Sequence, residues 1–313
     1  MKFNARIFSG RSNPALTSEI NTFLKTTPGQ ISISNFSDGE IRLRFEENIR
    51  GEDVFIVQST NPPADNLLEL LLIIDAARRA SARRITAVIP YYGYARQDRK
   101  DQPRVPISSR LILDTIVSAG ANRIVAMDLH STQIQGFVNI PFDHLYAKSI
   151  FADKIKEIVK SGDFSIIAPD VGGIKFARSY AKILGAPLII IDKRRPSPNK
   201  AEIMNIIGES QIRNALIIDD MIDTGGTISQ AARLLKNNGA ESIIVVATHG
   251  LFSGNCVRLI IESPIDKVIV TNSIAIPPER QFEKLEILTA APMFAEAIKR
   301  IHNEESISSL FEF

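Results

Sequence analysis

Residues 216–227, LIIDDMIDTGGT, constrain the fold of this chain more than any other stretch. The apolar run 214–218 predicts a strand that is covered on both faces of a parallel sheet. Apolar residues at helical spacing from Ile228 to Leu235, with Gly239 as the stop, predict a helix directly after the loop. The stretch therefore joins the carboxyl end of a strand to a helix N-terminus, where unpaired backbone N–H groups attract an anion.

The side chains of this loop predict a sugar phosphate as its ligand. Two glycines let the backbone approach an anion, two threonines add hydroxyl donors, and two aspartates can accept hydrogen bonds from sugar hydroxyls. These residues are Gly225, Gly226, Thr224, Thr227, Asp219 and Asp220. No lysine follows the glycines, so the loop is not a Walker loop. It resembles the ribose-phosphate loop of the phosphoribosyltransferase fold.

Length and composition indicate an ordinary globular protein of two domains. The chain has 313 residues, of which 44% are hydrophobic and 23% charged, with a net charge of +2. The charge gives no reason to expect nucleic acid as the partner. No apolar run reaches a membrane-spanning length and the start lacks a signal-peptide core, so we expect a cytoplasmic protein without a membrane partner. Cys256, the one cysteine, reads as an inert small hydrophobe.

Each half of the chain alternates apolar strands with amphipathic helices. We therefore predict an α/β fold of two similar doubly wound parallel-sheet domains, 1–147 and 148–313, with the last residues packing back on the first domain. The predicted strands are residues 5–9, 31–36, 41–47, 53–59, 85–90, 122–130, 164–170, 187–192, 214–218, 243–250 and 267–273.

Three polar segments follow predicted strands. Residues 91–110, YYGYARQDRKDQPRVPISSR, carry three tyrosines that can stack on a purine and several cations that can neutralise phosphates. The alternative is a solvated charged loop without a ligand. Asp128 and His130 are two residues apart in a predicted strand, so both side chains are expected on one face, where they can share a metal. The alternative is that His130 is an ordinary surface or core histidine. KRRPSPNK (193–200) follows the predicted strand 187–192, at the sheet edge where open α/β sheets bind ligands, so it is a candidate ligand-binding segment. The alternative is a solvated basic turn.

Taken together, these segments closely resemble the ribose-phosphate pyrophosphokinase family, in its phosphate-activated class. The resemblance runs over essentially the whole chain. Its motifs are FSDGE (36–40), RGEDVFIVQS (50–59), PYYGYARQDRK (90–100), DLHSTQIQGF (128–137), DKRRPSPN (192–199), DDMIDTGGT (219–227) and HNEESISSLF (302–311). The resemblance implies transfer of the diphosphoryl group of ATP to the 1-hydroxyl of ribose 5-phosphate, with Mg²⁺, giving phosphoribosyl pyrophosphate and AMP.

The resemblance also implies roles for single residues. The implied ribose 5-phosphate site comprises Arg195, Asp219, Asp220, Asp223, Thr224, Gly225, Gly226 and Thr227. The implied catalytic cations are Lys193 and Arg195. The implied ATP site comprises Phe36, Asp38, Glu40, Arg96, Gln97 and His130. The implied metal positions are His130 and Asp170, with Asp128 nearby.

Assembly and regulation follow from the same resemblance. Family members supply the FSDGE turn from a neighbouring subunit, which implies a homo-oligomer, usually a hexamer built of dimers. An anion site between subunits, which phosphate fills to activate and ADP fills to inhibit, is implied at Arg50, Arg104, Ser306 and Ser308. Asn139 stands where family members commonly carry aspartate, and an amide keeps an acceptor oxygen but loses the charge.

Two other functions fit the same fold. A phosphoribosyltransferase would use the same loop to consume the product, but residues 91–104 and 193–199 would then have no triphosphate to hold. A non-catalytic sensor or regulatory homologue would carry a helix-turn-helix, a basic face or altered loops, and the sequence shows none of these.

Overall fold

Two mainly parallel sheets form the framework, one in each of the two units into which the chain divides. The computed structural model describes residues 5–160, 164–194, 203–208 and 212–310. The first unit contains the described residues of 1–146, 273–275 and 289–312. The second contains those of 147–272 and 276–288. The C-terminal segment from residue 289 therefore belongs to the first unit.

The first unit holds seven strands and four α-helices. In chain order they are β1 (Arg6–Ser9), α1 (Pro14–Leu24), β2 (Ile31–Asn35), β3 (Ile41–Phe45), β4 (Asp53–Val57), α2 (Asp65–Arg79), β5 (Arg84–Ile89), α3 (Ser108–Ala119), β6 (Arg123–Met127), a 3₁₀ helix (Thr132–Phe137), β7 (Phe142–Leu145) and, after the second unit, α8 (Ala291–His302) and a 3₁₀ helix (Ser308–Leu310). The sheet order β1-β4-β5-β6-β7 follows the chain, and all four pairings are parallel. β2 and β3 form a separate antiparallel hairpin.

Both faces of the first sheet are buried. Val54 and Ile56 pack in one core cluster with Leu70 and Ile73 of α2 and Leu113 of α3. The alternate residues of the strands, which point to the opposite face, are also buried, as the 0% exposure of Phe55 shows. Because each strand is apolar on both faces, it reads as a continuous hydrophobic run, which is why its position was predictable.

Helix α8 is fixed to this unit by a buried charge cluster. The Asp53 carboxylate accepts two hydrogen bonds from Arg84, Nε to Oδ1 at 2.9 Å and Nη2 to Oδ2 at 2.5 Å. The Asp53 Oδ2 also lies 2.8 Å from His302 Nδ1, and Arg84 Nη2 donates to the Ile301 carbonyl at 2.9 Å. Asp53 therefore holds together the start of β4, the start of β5 and the end of α8.

The second unit holds the remaining elements. They are α4 (Lys148–Lys160), β8 (Phe164–Ala168), α5 (Ile174–Leu184), β9 (Leu188–Arg194), β10 (Ile203–Ile207), β11 (Asn214–Ile222), α6 (Gly226–Asn237), β12 (Ser242–Gly250), α7 (Cys256–Ile261), β13 (Lys267–Thr271), a 3₁₀ helix (Pro278–Arg280) and β14 (Leu285–Leu288). The sheet order is β10-β9-β8-β11-β12-β13-β14, with β10 antiparallel and the other pairings parallel. Its order reverses between β8 and β11, the position where doubly wound sheets bind ligands.

The predicted α/β class with parallel sheets is confirmed, and several details differ from the predictions. The strand predicted at 122–130 ends at Met127. The strand predicted at 214–218 continues to Ile222. The edge strands β7, β10 and β14 and the short helix α7 were not predicted. These four elements have only four to six residues, too few for a periodic pattern to stand out.

Among the described residues, no helix has the length and apolar character that crossing a membrane requires.

Arg84→Met tests the contribution of the buried charge cluster to stability. The Asp53 side chain is 1% exposed, and the substitution removes its guanidinium partner. Breaking a buried pair from one side typically destabilises by about 3–5 kcal/mol, and His302 remains beside Asp53, so the lower end of this range applies. We expect the free energy of unfolding to fall by about 3 kcal/mol in urea titrations.

Arg79→Met is the matched control. Its partner is also an aspartate, Asp75, but the Arg79 side chain is 74% exposed. Exposed pairs contribute about 0–1 kcal/mol, so this variant should unfold almost as the parent does. Equal losses in the two variants would contradict a special role for the buried cluster.

Candidate active site

The loop between β11 and α6 forms an anion-binding geometry in the second unit. Gly225 is the N-cap residue of α6, and its φ of 75° and ψ of −5° form a left-handed conformation that suits glycine. No side chain makes a capping hydrogen bond at this helix end. α6 begins at Gly226, and its first amide groups therefore have no side-chain acceptor from the cap. The loop can direct these N–H groups at an anion.

Residues 251–256 contact this loop and support its backbone. Ser253 N–H donates to the Asp223 carbonyl at 2.8 Å, and Leu251 N–H donates to the Ile222 carbonyl at 2.9 Å. A Cβ at Gly225 would lie 2.7 Å from Cys256 Sγ, so the loop backbone rests directly on this thiol. This support was not predicted from the sequence. Its one visible signal there is the small, polar run SGN (253–255) after β12.

Cys256 is a packing residue. It is fully buried, and burial together with the Asp223 charge raises the pKa of its thiol to about 12. A thiol with so high a pKa carries almost no thiolate at neutral pH and is a poor nucleophile. The burial of Cys256 agrees with the prediction of a small hydrophobe.

Negative charge is concentrated beside the loop. Burial raises the pKa of Asp219 well above its ordinary value, and the charges of Asp220 and Asp170 raise it further. Asp219 Oδ1 accepts a hydrogen bond from the Asp220 N–H at 2.9 Å, and Asp170 Oδ1 accepts one from the Gly173 N–H at 2.9 Å. Carboxylates grouped in this way suit a cation or hydroxyl donors as ligands.

The strand order explains why these carboxylates meet. β8 and β11 are parallel neighbours, with Ile167 opposite Ile217, so Asp170 and Asp219 follow at the same edge of the sheet. β9 is the parallel neighbour on the other side of β8, and its final residues include Lys193. The structure therefore brings the ends of β9, β8 and β11 together. Arg195 lies outside the described residues.

The long loop of the first unit exposes its cations but not all of its tyrosines. Tyr91 and Tyr92 are 5% and 2% exposed, and Tyr92 donates its hydroxyl to the Ser109 carbonyl at 2.7 Å. The expectation that three tyrosines could stack on a ligand is therefore wrong for these two, because their rings fill the core. Tyr94 is 44% exposed, and Arg96, Gln97, Arg99, Lys100 and Arg104 are also exposed.

The FSDGE turn closes the β2–β3 hairpin. Its Phe36 N–H donates to the Glu40 carbonyl at 2.8 Å, and Asp38 Oδ1 accepts from the Glu40 N–H at 3.1 Å. The Phe36 side chain is 51% exposed, and Asp38 and Glu40 are exposed as well. The Arg42 guanidinium lies 5.7 Å from the centroid of the Phe36 ring. The turn thus presents an aromatic ring and two carboxylates to the outside of its own subunit.

Asp128 and His130 do not share a strand face. Both follow the end of β6, and Asp128 has φ 37°, so the alternation of a strand does not apply to them. Asp128 is 3% exposed and its N–H donates to the Leu145 carbonyl at 3.0 Å, whereas His130 is exposed. The prediction that both side chains lie on one strand face is therefore wrong. His130 belongs to the first unit and Asp170 to the second.

The four residues of the implied effector site all lie in the first unit and are all exposed: Arg50, Arg104, Ser306 and Ser308. Ser306 is held locally, since its carbonyl accepts from Arg300 Nη1 at 2.8 Å and its Oγ accepts from the Ser308 N–H at 3.2 Å.

Comparison with known proteins gives a consistent result along the whole chain. Residues 5–120 match the model of the N-terminal domain of ribose phosphate pyrophosphokinase, and residues 191–312 match the phosphoribosyl synthetase-associated domain. The ribose-phosphate pyrophosphokinase of Chlorobaculum tepidum is 52% identical over 100% of this chain and 96% of its own length. That of Caldanaerobacter subterraneus is 50% identical over 98% of this chain and 97% of its own length.

A solved structure agrees with the sequence comparisons. The crystal structure of phosphoribosylpyrophosphate synthetase from Mycobacterium smegmatis has 39% sequence identity and a TM-score of 0.92, covering 96% of this chain and 99% of that one. The chain therefore belongs to the ribose-phosphate pyrophosphokinase family, the enzymes that make phosphoribosyl pyrophosphate from ATP and ribose 5-phosphate.

Proposed function

We propose that, in this family's reaction, residues 219–227 bind ribose 5-phosphate while exposed residues of the first unit bind ATP. The observation that carries the proposal is a helix N-terminus without a side-chain cap, next to a group of carboxylates. In that group, burial raises the pKa of Asp219, and the Asp220 and Asp170 charges raise it further. The amides suit the 5-phosphate, and the carboxylates suit the vicinal hydroxyls of ribose. The binding set is Asp219, Asp220, Asp223, Thr224, Gly225, Gly226 and Thr227, together with Arg195.

The proposed ATP site uses two exposed segments of the first unit. Phe36 offers an aromatic face for the base, with Asp38 and Glu40 as hydrogen-bond acceptors. Arg96, Gln97 and His130 supply donors for the triphosphate. In the rival phosphoribosyltransferase reaction these exposed donors would have no triphosphate to bind, and the family found here does not favour that reading.

Magnesium is the proposed divalent cation. Among the described residues, no three His, Cys, Asp or Glu side chains group into a ready-made metal site. Mg²⁺ keeps several waters and is held by one or two protein groups plus substrate phosphates. The proposed metal positions are Asp170 of the second unit and His130 and Asp128 of the first. Bound Mg²⁺ would neutralise charge on the transferred diphosphate.

Lys193 and Arg195 are the proposed catalytic cations. Charge on the transferred diphosphoryl oxygens changes most in the transition state, and cations placed there lower the barrier more than they tighten substrate binding. Lys193 follows the apolar part of β9, at the same sheet edge as Asp170 and Asp219. This topology supports the assignment of Lys193; Arg195 is assigned on sequence alone.

We further propose that the enzyme acts in the cytoplasm as a homo-oligomer, with the two units as its functional domains and a boundary near residue 147. In the proposed assembly of dimers into a hexamer, the turn 36–40 reaches a neighbouring subunit. Arg50, Arg104, Ser306 and Ser308 would bind phosphate as activator and ADP as inhibitor, since arginine forks and hydroxyls are good phosphate donors.

Asp219→Asn should make the ligand-free protein more stable while weakening ribose 5-phosphate binding. A carboxyl whose pKa is raised by folding favours the folded state when protonated, and that contribution disappears as pH rises through the folded pKa. The neutral amide avoids the repulsion, so its advantage should grow from pH 5 to pH 8. At pH 8 we expect a melting temperature higher by about 2–4 °C, on the order of 1 kcal/mol.

Asp266→Asn is the control for this measurement. Its Oδ2 accepts the Ile243 N–H at 2.7 Å, and an amide would accept that hydrogen bond less strongly than the carboxylate does. Neutralising Asp266 should therefore lower stability or leave it unchanged. Ribose 5-phosphate should raise the melting temperature of Asp266→Asn clearly and the melting temperature of Asp219→Asn much less. If Asp219→Asn is less stable than the parent at pH 8, the proposed charge repulsion at Asp219 is refuted.

Alanine at each glycine of the loop separates folding from ligand binding. Gly225→Ala forces a side chain into a left-handed conformation against Cys256, and should destabilise by about 1–2 kcal/mol. Gly226→Ala meets nothing closer than Thr224 Oγ1 at 3.9 Å, so the fold should tolerate it. The added methyl would nevertheless occupy the approach of the phosphate.

Thermal unfolding and calorimetric titration with ribose 5-phosphate measure the two effects. Gly226→Ala should keep the parent melting temperature and lose about tenfold or more in affinity, equivalent to one charge-assisted hydrogen bond. Parent-like affinity in Gly226→Ala would show that the phosphate binds elsewhere.

A further inference from the structure

We propose that Arg11 and Asn35 form a bridge that positions the turn 36–40 for nucleotide binding. The inference rests on the proposed role of this turn in the ATP site. All residues of the bridge lie in the first unit. Neither Arg11 nor Asn35 belongs to the motifs assigned above to catalysis, binding or regulation.

The bridge starts at a buried carboxylate. Glu69 lies in the apolar part of α2, and its side chain is 2% exposed. Its Oε1 accepts the backbone N–H of Arg11 at 2.6 Å, and its Oε2 accepts Arg11 Nε at 2.5 Å. Gln58 Nε2 donates to the same Oε1 at 3.0 Å. Because a buried charge is held by a guanidinium and two further donors, Arg11 has little freedom at this end.

The segment that carries Arg11 is itself fixed. Gln58 Oε1 accepts the Ser12 N–H at 3.0 Å, and the Ser59 N–H donates to Ser12 Oγ at 2.9 Å. A Cβ at Gly10 would lie 2.2 Å from Gln58 Oε1, so the backbone of this segment lies directly against that amide. Gln58 and Ser59 directly follow β4 of the parallel sheet. The base of the bridge is therefore part of the rigid core.

The other end of Arg11 reaches the hairpin. Arg11 Nη1 donates to Asn35 Oδ1 at 2.6 Å, and Asn35 Nδ2 donates to the Gly39 carbonyl at 2.6 Å. Gly39 sits at φ 98° in the turn, and its N–H donates to the Phe36 carbonyl at 3.0 Å. Four hydrogen-bonded steps thus connect the buried Glu69 with the residue that carries the exposed aromatic ring.

The turn at the end of the hairpin needs such an attachment. The hairpin itself packs on the first core through Ile31, Ile33, Leu43 and Phe45, whereas residues 36–40 are all exposed. A turn at its end that had to be ordered on ATP binding would lose affinity through conformational entropy. Holding the turn beforehand should therefore affect the Michaelis constant for ATP, with little influence on the chemical step.

Asn35→Ala tests the bridge in the full-length, assembled enzyme. The substitution removes both amide hydrogen bonds and leaves the Arg11–Glu69 pair in place. We expect the Michaelis constant for ATP to rise about 3- to 10-fold, the effect of one or two exposed hydrogen bonds. kcat and the Michaelis constant for ribose 5-phosphate should change by less than about twofold. In the ligand-free protein, hydrogen exchange of the Gly39 amide should become faster.

Two further variants sharpen the test. Ser32→Ala removes a hydrogen bond of the same exposed hairpin, from Ser32 Oγ to Glu46 Oε1 at 2.7 Å, but away from the turn, and should leave ATP kinetics unchanged. Arg11→Lys keeps a positive charge beside Glu69 but lacks the second guanidinium nitrogen that reaches Asn35. It should reproduce the Asn35→Ala kinetics, and the double variant should be no worse than either single one.

Phe36→Ala distinguishes failure of the bridge from failure of the proposed ATP site. If Phe36→Ala raises the Michaelis constant for ATP and Asn35→Ala does not, the bridge is overturned while the role of the turn stands. If neither variant changes ATP kinetics, both are overturned. Additive effects of Arg11→Lys and Asn35→Ala would also overturn the bridge, because the two residues would then act separately.

Discussion

Repulsion among carboxylates at the carboxyl ends of parallel strands is the constraint on which the structure of the proposed site depends. Parallel neighbours β8 and β11 bring Asp170 and Asp219 to one edge, and the Asp220 charge adds to theirs. Burial raises the pKa of Asp219, and these neighbouring charges raise it further. Because these carboxylates repel one another, they attract a metal ion and a ligand with hydroxyl donors. The N-terminus of α6 beside them carries partial positive charge and attracts a phosphate.

The surrounding architecture holds these groups in place. The loop residue Gly225 rests on Cys256, and the backbone of Asp223 is hydrogen-bonded to Ser253, so the anion-binding amides are attached to the core of the second unit. In the first unit the exposed turn with Phe36 depends on attachment through Arg11 to the buried Glu69. Both units therefore place their proposed ligand contacts on short loops supported by buried side chains, which reduces the entropy lost on binding.

Long periodic segments made much of the fold predictable from sequence. The continuous apolar run of β4 and the amphipathic pattern of α6 have direct structural counterparts, and the strand-loop-helix order around Gly225 and Gly226 is confirmed. Strand order was beyond the sequence, because reversal between β8 and β11 depends on non-local pairing. Short edge strands such as β10 and β14 carry too few residues for a pattern.

The candidate site shows the same division. Asp219 and the glycines could be identified because their chemistry is local to one stretch. Tyr91 and Tyr92 were misplaced, because composition alone does not reveal that a loop folds two of its rings inward. Asp128 and His130 were misplaced because β6 ends one residue before Asp128, whose left-handed backbone breaks the alternation. Arg11 and Glu69 are 58 residues apart, and no local pattern joins them.

Phosphorus NMR of a mixture of the protein, ATP, ribose 5-phosphate and Mg²⁺ tests the central claim most directly, since it follows every phosphoryl group at once. Diphosphoryl transfer predicts that ATP disappears only when ribose 5-phosphate is present, and that AMP and phosphoribosyl pyrophosphate appear in equal amounts. Formation of ADP with a singly phosphorylated sugar, or ATP consumption that does not require ribose 5-phosphate, would contradict the account.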